Sequence, residues 1–322
     1  MNNAPDEQHI LQAANLSVSA SSPGGDSVLV HDVSFSVYGR EVLIFLGESG
    51  SGKTILSRSL TKLFPATSAL RIDGSVTFEG RQLLTLTEGE LSFIRRRRIR
   101  YVFQEPMQSL NPLARIGHQM HLAADGSSDD DDGDLRNTLR LVGLDNNEGL
   151  LDLYPHELSI GMAQRVCIAM AILPSPALLI ADEPTSAVDA SLRRRILDLL
   201  ISIQRSGTMS LVLITHDLDV ARCYGDRIIV LYGGRIIEAA PRKAFFENPL
   251  HPYSRLLLEA HHATERSTGP ASTAPEPVIA DIPHQGCAFQ PRCPIAEKKC
   301  KESAPDLEPF PGEREVRCFC LR

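Results

Sequence analysis

The chain has 322 residues, of which 43% are hydrophobic, and a formal net charge of -7 at pH 7. This is enough apolar material for one large packed domain with an appendage, so disorder is not the default expectation. The negative balance gives no overall attraction to nucleic acid, and no apolar run reaches the roughly 18 residues of a membrane span. We therefore expect a soluble protein whose membrane role would come through partners.

The N-terminal residues Met1 to Gln12 are polar and acidic where a signal peptide would be basic and then apolar, which predicts a cytoplasmic location. Further along the chain, β-branched and apolar runs alternate with helical patterns. The strands are predicted at Leu16 to Val18, Val28 to Val37, Val42 to Leu46, Ser75 to Phe78, Ile99 to Phe103, Leu178 to Ala181, Leu211 to Thr215 and Ile228 to Leu231. The helices are predicted at Lys53 to Leu63, Gly161 to Leu173 and Ala190 to Gln204. This order predicts an α/β fold with a largely parallel sheet.

The segment VLIFLGESGSGKTILSRSL places the pattern GxxxxGKT directly after a strand and before a helix, the context of a phosphate-binding P-loop. Glycines let successive backbone N–H groups point at the β-phosphate. Lys53 can neutralise charge on the β- and γ-phosphates, and the Thr54 hydroxyl can ligate Mg²⁺. The predicted loop consists of Gly47, Glu48, Ser49, Gly50, Ser51, Gly52, Lys53 and Thr54.

Two charged runs have less specific interpretations. Arg95 to Arg98 lacks interleaved aromatic residues and lies in an acidic chain, which favours a solvated or subunit-facing surface over a nucleic-acid site. From Ser109 to about Tyr154 the strand signal vanishes, which predicts an inserted helical subdomain. This subdomain contains an acidic interruption at Asp125 to Asp134. The run Asp129 to Asp132 within it could bind divalent cations, but a solvated loop whose charges repel one another is the favoured interpretation.

The apolar strand LLIADE ends in Asp182 and Glu183, so two carboxylates are predicted at the carboxyl edge of the sheet, where ligands bind in open α/β folds. Asp182 would hold Mg²⁺ directly or through a water. Glu183 would orient and polarise the attacking water.

Five motifs together resemble the ATP-binding cassette (ABC) ATPases in content, order and spacing. They are GESGSGKT, FQEP at Phe103 to Pro106, LSIGMAQR at Leu158 to Arg165, LLIADEPTSAVDA at Leu178 to Ala190, and ITHD at Ile214 to Asp217. The resemblance implies a P-loop ATPase core with a mainly parallel sheet and an antiparallel β part. It also implies ATP and Mg²⁺ as ligands and an ATP sandwich formed by two cassettes. In it, Gln104 touches Mg²⁺ and the water, and Ser159 and Gly161 bind the γ-phosphate on the partner. Asp189 crosses the interface, and His216 contacts the γ-phosphate.

The sequence departs from this family in two places. Ile160 stands where the signature has glycine, and a β-branched residue disfavours positive φ and crowds a backbone that approaches phosphate. No aromatic residue lies near Ala20 to Val28 to stack on adenine, and Tyr38 comes late for that role. We therefore expect a weaker trans contact and less selectivity for adenine.

Within the family, FQEPMQSLNP and NPLHPYSRLLL at Asn248 to Leu258 resemble subunits of oligopeptide, dipeptide and nickel importers. The tail CAFQPRCPIAEKKC followed by VRC resembles their C-terminal extension, which implies a 4Fe-4S cluster on Cys287, Cys293, Cys300 and Cys318, with Cys320 spare. Thiolates also suit zinc, although no Cys-x-x-Cys pair occurs, and a tail without bound metal stays an alternative. Disulfides are not expected in a reducing cytosol.

The predicted organisation is an ATPase domain at 1–260 containing the helical subdomain at 109–160, a linker at 261–280, and a cysteine-rich extension at 281–322. The resemblance implies a peripheral subunit at the cytoplasmic face of the bacterial inner membrane. Its partners would be a second cassette, two membrane-spanning permease subunits and an extracytoplasmic binding protein, with no nucleic acid. Peptides, nickel, opines or other small solutes are the candidate cargo. A soluble cassette ATPase and a P-loop kinase are the rival classes, but a kinase does not need LSIGMAQR.

Overall fold

The computed structural model describes residues 6–22, 25–65, 67–124, 131–144, 149–186, 188, 190–266 and 285–321. The chain divides into two compact units. The first consists of Met1–Gln12, Ser36–Glu41 and Thr77–Ile214, and the second of Ala13–Phe35, Val42–Val76 and Thr215–Arg322.

The strands are β1 (Asp6–Ser22), β2 (Gly25–Gly39), β3 (Val42–Leu46), β4 (Leu70–Phe78), β5 (Arg81–Gln82), β6 (Ile99–Val102), β7 (Leu178–Asp182), β8 (Ser210–Thr215), β9 (Arg227–Tyr232), β10 (Arg235–Pro241), β11 (Glu308–Phe310) and β12 (Arg314–Val316). The helices are α1 (Lys53–Ser59), α2 (Glu88–Arg97), α3 (Pro106–Ser109), α4 (Ile116–Ala124), α5 (Asp131–Leu141), α6 (Ile160–Ile172), α7 (Ala190–Ser206), α8 (Leu218–Tyr224), α9 (Arg242–Glu247), α10 (Pro252–Arg266) and α11 (Lys298–Glu302). Short 3-10 turns lie at Leu83–Thr85, Leu150–Asp152, Pro155–Glu157 and Gln290–Arg292. Strands β1, β2, β4 and β5 form one sheet in the order β2-β1-β4-β5.

The first unit contains a parallel sheet in which β7 lies between β6 and β8. Ile99 is opposite Leu178, and Leu178 is opposite Ser210. Every residue of β7 and β8 is buried, which explains why both strands read as continuous apolar runs instead of alternating ones. Helices α3, α4 and α5 pack on α6 beside this sheet, and α4 and α5 lie in the segment for which the sequence predicts a helical subdomain.

The second unit contains a mixed sheet. Strand β3 runs parallel to β9, while β9, β10, β12 and β11 follow one another in antiparallel pairs. The α/β class with parallel and antiparallel parts is thus as predicted.

The C-terminal segment packs on the second unit and is less separate than the sequence suggests. Strand β12 pairs with β10, with Glu238 opposite Val316, and Phe289 is buried against the rings of Tyr232 and Tyr253. The C-terminal segment therefore shares the apolar core of the second unit. Helix α10 also extends to Arg266, so the linker expected from residue 261 starts later, and its remainder lies outside the described residues.

The two charged runs are parts of helices. Arg95 to Arg97 form the last turn of α2, where cations favour the helix dipole, and Arg95 and Arg98 pair with Glu88 and Glu79. Helix α5 begins at Asp131, so the acidic stretch is not wholly a loop, because acidic residues suit a first helical turn. Residues 125–130 lie outside the described residues.

Among the described residues, none of the helices combines the length and hydropathy needed to span a bilayer.

Candidate nucleotide site

The P-loop connects β3 to α1 within the second unit. All five residues of β3 are buried, and α1 begins at Lys53 with Gly52 as its N-cap. Gly50 and Gly52 have φ angles of 77° and 99°, in the left-handed region that glycine enters without a steric penalty. A Cβ at Gly47 would lie 2.4 Å from the Leu231 carbonyl oxygen. Glycine is therefore required at this position by close backbone packing.

Lys53 lies on the inner side of this loop. Its side chain is buried, and Nζ donates hydrogen bonds to the carbonyl oxygens of Gly47 and Glu48, both at 2.8 Å, and to Ser51 Oγ at 3.3 Å. Thr54 follows in the first turn of α1, and its carbonyl accepts from Ser57 Oγ at 3.0 Å. An ammonium group and a hydroxyl thus occupy adjacent positions at the loop's end, as expected for binding phosphate and Mg²⁺.

The two carboxylates of the first unit lie at the end of β7. Asp182 is its last residue and is buried, whereas Glu183 is partly exposed. Glu183 has a φ of 44°, an uncommon value for a residue with a side chain, and its backbone N–H donates to the Ile214 carbonyl at 3.0 Å. Gln104 Nε2 approaches Glu183 Oε2 at 3.5 Å. The predicted water-orienting carboxylate and the glutamine predicted to touch Mg²⁺ and that water are therefore neighbours.

The signature segment begins α6. Ser159 is its N-cap, and Oγ accepts a hydrogen bond from the Met162 N–H at 3.2 Å. Ile160 is the first helical residue, is about half exposed and does not have positive φ. The expected backbone conflict at Ile160 is thus absent, because helical φ suits any L-residue; only its bulk remains. A Cβ at Gly161 would lie 2.4 Å from Leu192 Cδ2, so glycine allows α7 to approach α6 closely.

The remaining predicted site residues are His216, Asp189 and three residues of the P-loop. His216 is exposed and directly follows β8, and the next residue, Asp217, caps α8 by accepting N–H bonds from Asp219 and Val220. Asp189 lies outside the described residues. Ser49 and Gly50 are exposed at the tip of the P-loop, and Ser51 is buried.

Comparison with known proteins places this arrangement in a family. The chain matches the ABC transporter family over residues 30–186 and the oligopeptide/dipeptide transporter C-terminal region over residues 237–300. It is 40% identical over 316 residues to the oligopeptide transport ATP-binding protein OppD of Escherichia coli, with 96% of this chain and 93% of OppD covered. The chain belongs to the ATP-binding subunits of ABC transporters. The dipeptide transport ATP-binding protein DppD of Bacillus subtilis is 36% identical, with 97% and 95% covered.

Solved ABC cassettes have the same fold. A dimeric structure of a post-hydrolysis state of the ATP-binding cassette MJ0796, bound to ADP and Pi, superposes with a TM-score of 0.64 and 27% identity, covering 72% of this chain and 98% of that one. CbiO1 from Clostridium perfringens, part of the ABC transporter complex CbiONQ, has the same TM-score at 25% identity, covering 80% and 100%. The ABC subunit described here is accordingly an ATPase.

The sequence analysis missed two residues of this ABC subunit that contact the P-loop. Tyr253 Oη accepts a hydrogen bond from the Glu48 N–H at 3.1 Å, and Arg292 forms a two-point ion pair with the Glu48 carboxylate. Tyr253 lies in NPLHPYSRLLL and Arg292 lies between two tail cysteines. Both segments resemble those of oligopeptide, dipeptide and nickel importers, but no local pattern in either one indicates a contact with Glu48.

The tail cysteines are close together in the ABC subunit. Burial raises the pKa of the Cys287, Cys293 and Cys318 thiols, and neighbouring cysteines raise it further. Cys300 Sγ lies 3.9 Å from Cys320 Sγ, so Cys320, which is outside the predicted ligand set, is the direct neighbour of a predicted ligand. Among the described residues, no three His, Cys, Asp or Glu side chains are arranged to hold a metal ion.

Proposed function

We propose that this ABC subunit powers the import of peptides by binding and hydrolysing ATP at the cytoplasmic face of the bacterial inner membrane. The observation that carries the proposal is the near full-length similarity to OppD and DppD, which extends through the C-terminal region at residues 237–300. Its partners would be a second cassette, identical or related, two membrane-spanning permease subunits, and an extracytoplasmic binding protein that captures cargo.

In the proposed mechanism, the loop Gly47 to Thr54 holds the triphosphate through backbone N–H groups and the Lys53 ammonium. Thr54, Asp182 and Gln104 would hold Mg²⁺, which neutralises phosphate charge when bound. Glu183 orients the attacking water and accepts its proton. The hydrogen-bond distance between Gln104 and Glu183 supports a joint action of these two side chains.

The second half of the site would come from the partner cassette. Ser159, Gly161 and the N-terminus of α6 would contact the γ-phosphate held by the partner, while Asp189 and His216 complete the interface. Because Ile160 is exposed and begins the helix, its side chain would occupy space at this interface. ATP-driven closure of the two cassettes would then move the helical subdomain and alternate the access of the permease.

The test is cargo uptake by the importer reconstituted in vesicles with wild-type subunit, with Glu183→Gln, and with the matched control Glu88→Gln, which makes the same chemical change on exposed α2. We expect ATP-dependent uptake of peptides in wild type and the control and none in Glu183→Gln. Uptake undiminished by Glu183→Gln would overturn the catalytic assignment. Uptake of nickel or opines instead of peptides would overturn the assignment of peptides as the cargo. Failure of the subunit to bind any permease would favour a soluble cassette ATPase.

The 4Fe-4S cluster on Cys287, Cys293, Cys300 and Cys318 remains a separate proposal, supported by the proximity of the tail cysteines. Anaerobically purified protein should then absorb visible light through thiolate-to-iron charge transfer. A Cys293→Ser variant should lose this absorption and Cys223→Ser, an exposed cysteine elsewhere, should keep it. Colourless, iron-free wild-type protein would contradict the cluster.

A further inference from the structure

One side chain, Arg292, connects the C-terminal segment to the P-loop. Its Nη1 donates to Glu48 Oε2 at 2.9 Å and its Nη2 donates to Glu48 Oε1 at 3.1 Å. About three-quarters of each side chain is shielded from solvent. A two-point ion pair between a planar guanidinium and a carboxylate fixes orientation as well as distance, and partial burial protects it from screening.

Aromatic rings hold the guanidinium in place. Arg292 Cζ lies 5.7 Å from the ring centroid of Tyr232, 6.0 Å from that of Tyr253 and 5.8 Å from that of Phe289. These distances permit favourable interactions between the cation and the ring faces. The hydrogen bond with Glu48 is the main cause that raises the pKa of Arg292 above its ordinary value, so the side chain is always charged. Arg292 is thus held rigidly, unlike a typical surface arginine.

Glu48 is fixed on its backbone as well. Its N–H donates to Tyr253 Oη at 3.1 Å, and its carbonyl oxygen accepts from Lys53 Nζ at 2.8 Å. Glu48 is therefore the single residue that connects Arg292 to Lys53, the lysine that binds phosphate. If Arg292 were lost, the Glu48 side chain would be free to move, and the carbonyl that orients Lys53 would lose part of its support.

The charge of Glu48 gives Arg292 a second role. Glu48 places a carboxylate in a loop that binds a triphosphate, and like charges at short range repel each other. The Arg292 guanidinium cancels that negative charge. Without it, Glu48 would oppose ATP binding.

We propose that Arg292 is a positioning residue of the ATP site. It holds Glu48 and neutralises its carboxylate, so that the C-terminal segment sets the affinity of the P-loop for ATP. This inference rests on ATP binding at Gly47 to Thr54 and is independent of the cargo.

The experiment measures the Kd for ATP by calorimetric titration of the full chain without Mg²⁺, which prevents turnover. We expect Arg292→Gln to raise the Kd about tenfold, the scale of one hydrogen bond to a charged group. Arg292→Lys keeps the charge but loses the two-point geometry and should be intermediate. The control is Lys299→Gln, because Lys299 lies in the same segment and contacts Glu297 and the Phe319 ring instead of the P-loop. It should bind ATP like wild type.

The double variant Arg292→Gln with Glu48→Gln separates neutralisation of the Glu48 charge from a general loss of stability. Removing the unpaired carboxylate should recover most of the lost affinity, and raising the salt concentration should reduce the defect of Arg292→Gln alone. Either a Kd within twofold of wild type for Arg292→Gln, or an equal loss in Lys299→Gln, or no recovery in the double variant would overturn the proposal. Absence of ATP binding in wild type would instead overturn nucleotide binding at the P-loop.

Discussion

Replacing Arg314 by methionine tests whether the C-terminal segment is an integral part of the second unit. Arg314 Nη2 donates to the carboxylate of Glu238 at 3.2 Å and to the Asn248 carbonyl, and both charged side chains are almost fully buried. The same carboxylate accepts the N–H groups of Leu250 and His251 at 2.9 and 2.8 Å. Glu238 thus joins β10, the start of α10 and β12.

Methionine fills much of the space of arginine but leaves the Glu238 carboxylate buried without its counter-charge. Breaking a buried ion pair by removing one partner costs about 3–5 kcal/mol, and we expect about 3 kcal/mol because two backbone N–H groups still solvate the carboxylate. For a chain of this size the midpoint of thermal unfolding should fall by about 5–10 °C.

Urea and thermal unfolding of purified wild type, Arg314→Met and Lys243→Met would measure this difference. Lys243 pairs with Glu247 on the exposed face of α9, so its loss should change the free energy of unfolding by less than about 0.5 kcal/mol. If Arg314→Met has the same midpoint temperature and the same free energy of unfolding as Lys243→Met, the segment does not contribute to the stability of the unit. That result would refute the reasoning.

Three further predictions concern pH, the P-loop and base selectivity. Burial lowers the pKa of His251 to about 3 in the folded protein, from its ordinary value of 6.5 in the unfolded chain. The contribution of this group to the free energy of unfolding is therefore fully present above pH 6.5. It falls by about 1.4 kcal/mol per pH unit as the pH drops from 6.5 towards 3. Urea unfolding at pH 7 and at pH 5.5 measures this fall, and His251→Asn should make it smaller than in wild type. An equal fall in the free energy of unfolding for wild type and variant would contradict the prediction. Gly47→Ala, whose Cβ meets backbone, should weaken ATP binding about tenfold by strain of about 1–3 kcal/mol, whereas Gly89→Ala, in open space, should not. Since no aromatic residue lies near Ala20 to Val28, the Kd values for ATP and GTP should be similar; a strong preference for ATP would disprove this.

The parts of the site that lie close together in sequence could be predicted. The strand before Gly47 and the helix from Lys53 follow from an apolar run, a glycine-rich turn and a helical pattern within one short segment. The carboxylates after β7 follow for the same reason. Local patterning is enough where neighbouring residues determine both the backbone and the chemistry.

Long-range contacts could not be predicted. The ion pair between Glu48 and Arg292 joins residues separated by 244 positions, and the pairing of β10 with β12 places Glu238 opposite Val316. Strand β1 is also much longer than the predicted Leu16 to Val18, because tertiary pairing extends strands past their apolar residues. The positive φ of Glu183 could not be predicted from the sequence either, because glycine favours this backbone conformation and glutamate does not.

The pairing of β12 with β10 has a consequence for synthesis of the chain. During translation β10 emerges from the ribosome before β12, which lies more than 70 positions further along the chain. Until then the open edge of β10 offers unpaired N–H and C=O groups, which makes nascent or prematurely terminated chains prone to edge-to-edge association. Expression that stops before residue 308 should therefore yield aggregates, because the sheet of the second unit is complete only once β12 has been synthesised.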